Sequence, residues 1–307
     1  MKKSFLLAIF LLLFFSSFAQ TDTTYWNKGG NIGITFNQST LSNWAAGGTS
    51  SISGGAFFTQ FFDYLKGRTK WNNSIELGYG LIKENDLPQR KTDDKIILTS
   101  SYGYQLSSSD EKWYLSTLLD FRTQFYEGFD ADEPDKLISN FMAPAYLLAT
   151  VGIEWKPTSY FTMGLGPVSA KWTFVYNDEL SARGEYGVEP GENLRSEFGG
   201  TFAAAFDKEI FDNVQFKSKL LLFSNYLENP DKIDVNWENT VNMKINDVLS
   251  ANLFNQLIYD YDVKFDQLDD AGNPIVDPEG NPLQEDRVQF KNILGIGISY
   301  KFGGTRG

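Results

Sequence analysis

The amino-acid sequence predicts an all-β protein, an antiparallel up-and-down transmembrane β-barrel of about twelve strands. Three observations predict it. Apolar and polar residues alternate with a period of two over many segments, short and long connections take turns along the chain, and aromatic residues collect near one set of strand ends.

The first element is a signal peptide at residues 1–20. Lys2 and Lys3 open it, residues 5–15 form an unbroken apolar run, and Ser17, Phe18 and Ala19 give a small-x-small cleavage pattern. The apolar run is shorter than the ~20 residues that cross a bilayer as a helix. Residues 21–307 then form the barrel. No later stretch reads as a membrane helix, and the mean hydropathy is negative. A barrel accommodates this, because lipid-facing and lumen-facing residues alternate and their hydropathies cancel in any window average.

Composition narrows the chemistry. The 307 residues include no cysteine and no histidine. Without cysteine there is no disulfide framework, thiolate nucleophile, zinc-thiolate site or lipid-modified amino-terminal cysteine. Without histidine no Ser-His-Asp, Cys-His or His-metal constellation can be built. The expectation is a protein that is not an enzyme, with no catalytic residue, no cofactor and no resident metal. The net charge of −12 becomes −14 once Lys2 and Lys3 leave with the signal, which argues against nucleic acid as a partner.

The strand pattern is clearest at residues 287–302. Val288, Phe290, Leu294, Ile296, Ile298, Tyr300 and Phe302 share one face, and Arg287, Gln289, Lys291, Gly295, Gly297, Ser299 and Lys301 the other; Asn292 and Ile293 break the alternation. Residues 232–245 repeat it, with Ile233, Val235, Trp237, Val241, Met243 and Ile245 against Asp234, Asn236, Glu238, Thr240, Asn242 and Lys244. Further strands are predicted over 71–81, 96–106, 113–125, 145–155, 214–226 and 249–263, and weaker ones over 31–36, 50–64, 160–176 and 196–206. In 160–176 the apolar parity flips at Gly166-Pro167, which predicts a bulge, since proline cannot donate to the ladder.

Short turns are expected near 66–67, 107–111, 157–159, 207–213 and 246–247, and longer links over 38–49, 84–91, 127–144, 177–194, 227–231 and 264–286. Both termini then lie at the tight-turn end. Trp71, Trp113, Trp155, Trp237, Tyr300 and Phe302 are expected to form an aromatic girdle there. A soluble β-sandwich also alternates inward and outward residues and stays the architectural alternative. Strand length favours the barrel, because many segments fit the ~9 to 11 residues of a tilted membrane strand better than the ~5 to 6 usual in soluble domains.

The lumen-facing positions carry both signs of charge: Glu76, Asp120, Arg122, Lys217, Lys219, Asp234, Glu238, Lys244, Asp260, Lys291 and Lys301. Two readings stay open. The charges interlock and fill the interior of a structural or accessory envelope component, or unpaired members line a passive or selective channel for a small solute. The segment from Leu41 to Gly48 is small, apolar and uncharged. It is either a plain connection or a plug folded into the barrel mouth through Asn43, Trp44, Gly47 and Gly48. The turns around Gly272 and Gly280 are flanked by Asp269, Asp270, Asp277 and Glu279, but their spacing does not match a calcium-binding EF-hand loop.

Phe36-Asn37-Gln38, the stretch Asn43-Trp44-Ala45-Ala46-Gly47-Gly48, and Gly166-Pro167-Val168 resemble an uncharacterised "domain of unknown function" family of exported Bacteroidota proteins. The resemblance extends over nearly the whole mature chain and implies an outer-membrane barrel without an assigned activity. It carries over no catalytic or binding residue. Together with the strand pattern it sets the expected location, the cell outer membrane of a Gram-negative bacterium. The expected partners are outer-membrane lipid, the barrel-assembly machinery, and an envelope protein meeting the external loops. Tyr300 and Phe302 on the last strand are the expected assembly signal.

Overall fold

A computed structural model describes residues 25–40, 50–84, 88–130, 133–246, 248–269, 274–278, 280 and 282–304. The signal peptide, the loop residues Asn43, Trp44, Gly47 and Gly48, and the acids Asp270 and Glu279 lie outside the described residues.

The strands are β1 (Trp26–Ser39), β2 (Ser51–Lys66), β3 (Thr69–Glu84), β4 (Arg90–Gln105), β5 (Trp113–Thr123), the short β6 (Gly128–Phe129) and β7 (Leu137–Ser139), β8 (Ala145–Thr158), β9 (Phe161–Phe174), β10 (Leu194–Phe211), β11 (Val214–Asn225), β12 (Ile233–Lys244), β13 (Leu249–Tyr259), the short β14 (Lys264–Asp266) and β15 (Gln284–Asp286), and β16 (Gln289–Gly303). An α-helix, α1 (Asp178–Ala182), and a 3-10 turn (Glu185–Gly187) sit between β9 and β10. Twelve of the strands close into one antiparallel barrel, in the ring order β1-β16-β13-β12-β11-β10-β9-β8-β5-β4-β3-β2. The sandwich alternative is thereby excluded, because a single sheet returns on itself and leaves no edge. Among the described residues no helix is long and apolar enough to cross a membrane.

The period of two sets the two faces. On β16, Phe290, Leu294, Ile296, Ile298 and Tyr300 are exposed on the outside of the barrel, while Gly295 between them is buried. Ile32, Ile34 and Phe36 on β1 and Leu115 and Leu119 on β5 extend this outer apolar surface. Inside, glycines make room for long side chains. The ring of Phe57 on β2 rests on Gly33 of β1, and the stem of Lys70 rests on Gly103.

The turns between β2 and β3, β8 and β9, and β10 and β11 are two residues long, and the longest connections, those after β1, β5, β9 and β13, gather at the opposite end, as the sequence predicts. The turn expected at 157–159 falls later, after Thr158. Proline 157 stays within β8 because the ladder to β9 is irregular between Trp155 and Thr158 and demands no donor from it. The predicted bulge is present. Opposite Gly166 and Pro167 the register slips on both sides of β9, between Val151 and Ile153 and between Gly199 and Thr201.

Aromatic rings border the apolar surface at both ends. At the tight-turn end Trp26 lies 5.1 Å from Tyr64 and 5.7 Å from Trp71, and Trp113 lies 6.0 Å from Trp155. The long-loop end has its own set, which the sequence reading omitted: Tyr79 with Phe125, Phe174 with Tyr176, and Phe198 with Tyr226. Trp237 belongs to neither. It stands mid-strand opposite Leu220 and Leu257, because β12 descends from the long-loop end at Ile233. Trp71 and Tyr79 share the outer face of β3. At ~3.3 Å rise per residue and ~40° tilt they are roughly 20 Å apart along the barrel axis, close to the apolar height of membrane barrels.

Gly33→Leu should displace the Phe57 ring and cost about 1–3 kcal/mol. The expected readout is a lower temperature at which the compact folded band on gels converts to the unfolded one. An unchanged conversion temperature would remove this packing role.

Candidate functional site

The interior is the one place where the sequence concentrates chemistry. A lumen side chain on one strand faces strands far away around the ring, so charges distant in sequence meet. Lys219 on β11 pairs with Glu76 on β3, half-way round the twelve-strand ring. Arg122 on β5 holds Asp120 at 2.5 Å on its own strand and Glu238 of β12 at 2.8 Å across the lumen. Lys291 on β16 reaches Asp93 on β4 at 2.6 Å. The ammonium of Lys95 lies 4.5 Å over the ring of Phe254 on the far wall. These contacts are spokes across the barrel rather than ladders along its wall.

The tight-turn end carries its own bonds. Lys70, buried, pairs with Glu154 of β8 and lies 4.0 Å over the Tyr114 ring. Lys217 meets Asp207 at 3.0 Å, and Gln215 donates to the same carboxylate.

The long-loop end is the most acidic. Lys171 on β9 is a hub, 2.6 Å from Asp234, 3.5 Å from Asp260 and 3.5 Å from Glu197. Arg195 on β10 is a second hub, touching Asp262 at 2.7 Å, Glu228 at 3.4 Å and Glu197 at 3.6 Å. Among the described residues, Asp234, Asp260 and Asp262 are the carboxylates close enough together to ligate one cation. Two of them already surround the Lys171 ammonium and the third holds Arg195, so the protein's own cations occupy the position a metal would take.

Above this end, the loops after β5 and β9 share a small apolar core of Leu137, Ala143, Val175, Leu180 and Val188, with Tyr186 packed on it. Asn177 caps α1, its side chain accepting from the N–H groups of Glu179 and Leu180 at 3.1 and 3.0 Å. Arg183 donates to the Leu137 carbonyl at 2.5 Å, and the Tyr186 hydroxyl donates to that of Ile138. Burial, with Glu185 beside it, pushes the Tyr186 hydroxyl well above its ordinary range, so it stays a donor. The described residues of loop 127–144, predicted as one of the longer links, are thus part of a folded cap. The backbone at Gly187 follows the cap down to Arg195 at the barrel mouth.

Of the predicted lumen charges, Glu76, Asp120, Arg122, Lys217, Lys219, Asp234, Glu238, Asp260 and Lys291 all stand in these ion pairs. Lys244 and Lys301 are exposed at the tight-turn ends of their strands. Sequence reasoning missed Lys70, Asp93, Lys95, Glu154, Lys171, Arg195 and Glu197. Lys171 was within reach, because after the parity flip at Gly166-Pro167 the odd positions of β9 face inward. Tyr300 and Phe302 stack 6.5 Å apart on the outer face, and Phe302 stacks on Phe58 of β2 at 6.2 Å.

This geometry defines a class: a closed twelve-strand antiparallel barrel with an apolar outside and a cross-braced, charged interior. A family model described as "Protein of unknown function (DUF3078)" matches residues 36–129. The match includes Phe36-Asn37-Gln38 and the Asn43 to Gly48 stretch but not Gly166-Pro167-Val168, so it is narrower than the near-complete resemblance expected. Comparison with curated proteins gives no match. Among solved structures, an outer membrane channel from Pseudomonas putida F1 is similar at 11% identity and a TM-score of 0.41, covering 93% of this chain and 98% of that one. The translocator domain of the autotransporter NalP from Neisseria meningitidis is similar at 12% identity and a TM-score of 0.35, covering 96% and 95%. The Pseudomonas putida toluene transporter TodX is similar at 8% identity and a TM-score of 0.31, covering 91% and 90%.

Removing one member of a buried ion cluster leaves the others uncompensated, which costs about 3–5 kcal/mol where water is excluded. Arg122→Met should therefore destabilise the barrel by about 3 kcal/mol in urea unfolding from lipid. Adding Asp120→Asn and Glu238→Gln should restore most of that loss. A triple variant as unstable as the single one would show that these charges are not coupled.

Proposed function

We propose that this chain is a non-enzymatic barrel of the outer membrane, a structural or accessory component of the envelope whose lumen is held closed by ion pairs. The carrying observation is the set of contacts crossing the lumen, above all Lys219 to Glu76 from opposite walls. A conducting pore needs a continuous open path, and unpaired groups of one sign along it would make it selective. Here opposite charges meet at several depths instead.

The membrane location rests on the outer face. Dozens of large apolar side chains stand exposed around the barrel, between two aromatic borders, a surface far beyond what a soluble monomer leaves in water. Lipid satisfies it, and closure satisfies the backbone that lipid cannot. Export by the signal at residues 1–20, a Gram-negative host and an origin in Bacteroidota are parts of the same proposal, supported by the sequence alone. The absence of histidine and cysteine supports a role without catalysis. The cap above the long-loop end is the surface on which an envelope protein partner would act.

Purified protein reconstituted in planar bilayers should be folded, as judged by heat-modifiable migration, and electrically silent. Lys219→Ala combined with Arg122→Ala and Lys291→Ala should produce measurable conductance. Stable conductance of the unaltered protein would replace this reading with that of a small-solute channel.

The last strand presents Phe302 and Tyr300 outward where the assembly machinery would engage it. Phe302→Ala should lower the amount of folded barrel in the outer membrane several-fold, measured by gel shift in isolated envelopes. Unchanged levels would remove the signal role.

A further inference from the structure

The outer face carries two kinds of polar position among its apolar side chains: Asn73 of β3 and Ser100 of β4 are hydrogen-bonded to each other and to the Phe62 carbonyl and the Trp71 indole, whereas a second row is not satisfied within the chain. The ladder registers place Asn239 of β12 opposite Asn255 of β13, and Asn255 opposite Asn292 of β16. Ser218 of β11, paired with Asn239, extends the row by one strand. Each amide lies in the apolar band. Asn239 stands between Trp237 and Val241 on its face, Asn255 between Leu253 and Leu257, and Asn292 between Phe290 and Leu294, which are 68% and 58% exposed. The opposite parity of the same strands faces the lumen, where Glu238 bonds Arg122 and Gln256 bonds Asn236.

The row is under-satisfied. Asn292 donates to Asn255. Ser218 accepts from the Trp237 indole at 3.0 Å. Among the described residues the Asn239 side chain makes no hydrogen bond, and the Asn255 amide nitrogen donates to nothing. An amide in hydrocarbon without a partner is costly, and polar side chains at such positions act as glue between membrane proteins. Inside, one neighbouring row is polar and charged, with Glu238, Gln256 and Lys291, and the other pairs Phe254 with Ile293.

We propose that this face is the interface of a dimer and that its occupant is a second copy of this chain. The argument is complementarity. Each amide offers a donor and an acceptor, so a row of amides is satisfied by its own copy, whereas lipid tails offer neither. A two-fold axis along the membrane normal brings the middle of the row, Asn239 and Asn255, against the same residues of the partner, the isologous arrangement closed dimers use. The row runs along the hydrogen-bonding direction of tilted strands, so two copies cross at their centres and Asn292 lies away from the crossing. The inference rests on the membrane reading above.

The chain has no cysteine, so single cysteines report proximity cleanly. In lipid vesicles, Asn255→Cys should cross-link to itself on oxidation, and Leu119→Cys, exposed on the opposite wall, should not. Labelled protein without cysteine substitutions at these positions should show energy transfer that falls on lipid dilution. Asn239→Leu with Asn255→Leu should weaken this association at least tenfold while leaving heat-modifiable folding intact. Equal cross-linking at both positions, no energy transfer at any protein-to-lipid ratio, or an adduct only with a different protein would each overturn the proposal. Carbonate extraction of the same envelopes separates the two failures: a chain released from the membrane overturns the location, and a retained monomer overturns only the dimer.

Discussion

Everything in this molecule depends on the bond between its first strand and its last. β1 and β16 pair from Gly29 with Gly303 to Phe36 with Ile296, and that ladder turns an open sheet into a ring. An open sheet of this length would present two rows of unpaired backbone groups, a liability in water and prohibitive in lipid. The seam is rich in glycine on both sides, including Gly29, Gly30, Gly33, Gly297 and Gly303. A side chain on Gly297 would meet the Ile34 carbonyl, so the closeness of this ladder requires the small residue.

Once the ring is closed, inside and outside cease to be equivalent and the charges have no choice of face. A lysine at an inward position cannot reach bulk water sideways; it finds a carboxylate across the lumen or pays desolvation. The outcome is a set of pairs with long sequence separation, Lys291 with Asp93 and Lys219 with Glu76 among them. Such pairs form only after closure, so they lock the ring rather than build it. They also divide by sign: the long-loop end carries surplus carboxylate around Lys171 and Arg195, while the middle is nearly balanced around Arg122.

The strands, their alternation, the bulge at Gly166-Pro167 and the order of short and long links were legible in the sequence because each is a local property with a fixed period. Strand ends were less so. β1 runs from Trp26 rather than Asn31, since its early residues pair with Asp63 and Tyr64 on β2 and their own alternation is interrupted by Gly29 and Gly30. Which residues face inward was readable by parity, as with Glu76 and Lys219, which meet across the lumen. Who pairs with whom was not. That depends on ring order, tilt and side-chain reach, none of which has a signature shorter than the whole chain. The folded cap was invisible for the same reason, because Leu137 and Leu180 meet only once two separate loops are brought to one end.

The exceptions to alternation carry more information than the rule. Asn292 and Ile293 broke the clearest strand in the sequence, and Asn239 was silently missing from the apolar set of its own. Taken singly, each is a flaw in a pattern. The registers align them, since Asn239, Asn255 and Asn292 fall opposite one another on three consecutive strands, with Phe254 and Ile293 turned inward beside them. Chance substitutions in three strands have no reason to share one hydrogen-bonded row, and an isolated amide facing lipid brings no packing gain to offset its desolvation. A row of amides on the outer face whose hydrogen-bonding groups are not all met within the chain instead has the composition of a surface covered by polar groups of another protein. On the proposed function, a barrel whose lumen is cross-braced acts through its outer wall and its cap rather than through its interior.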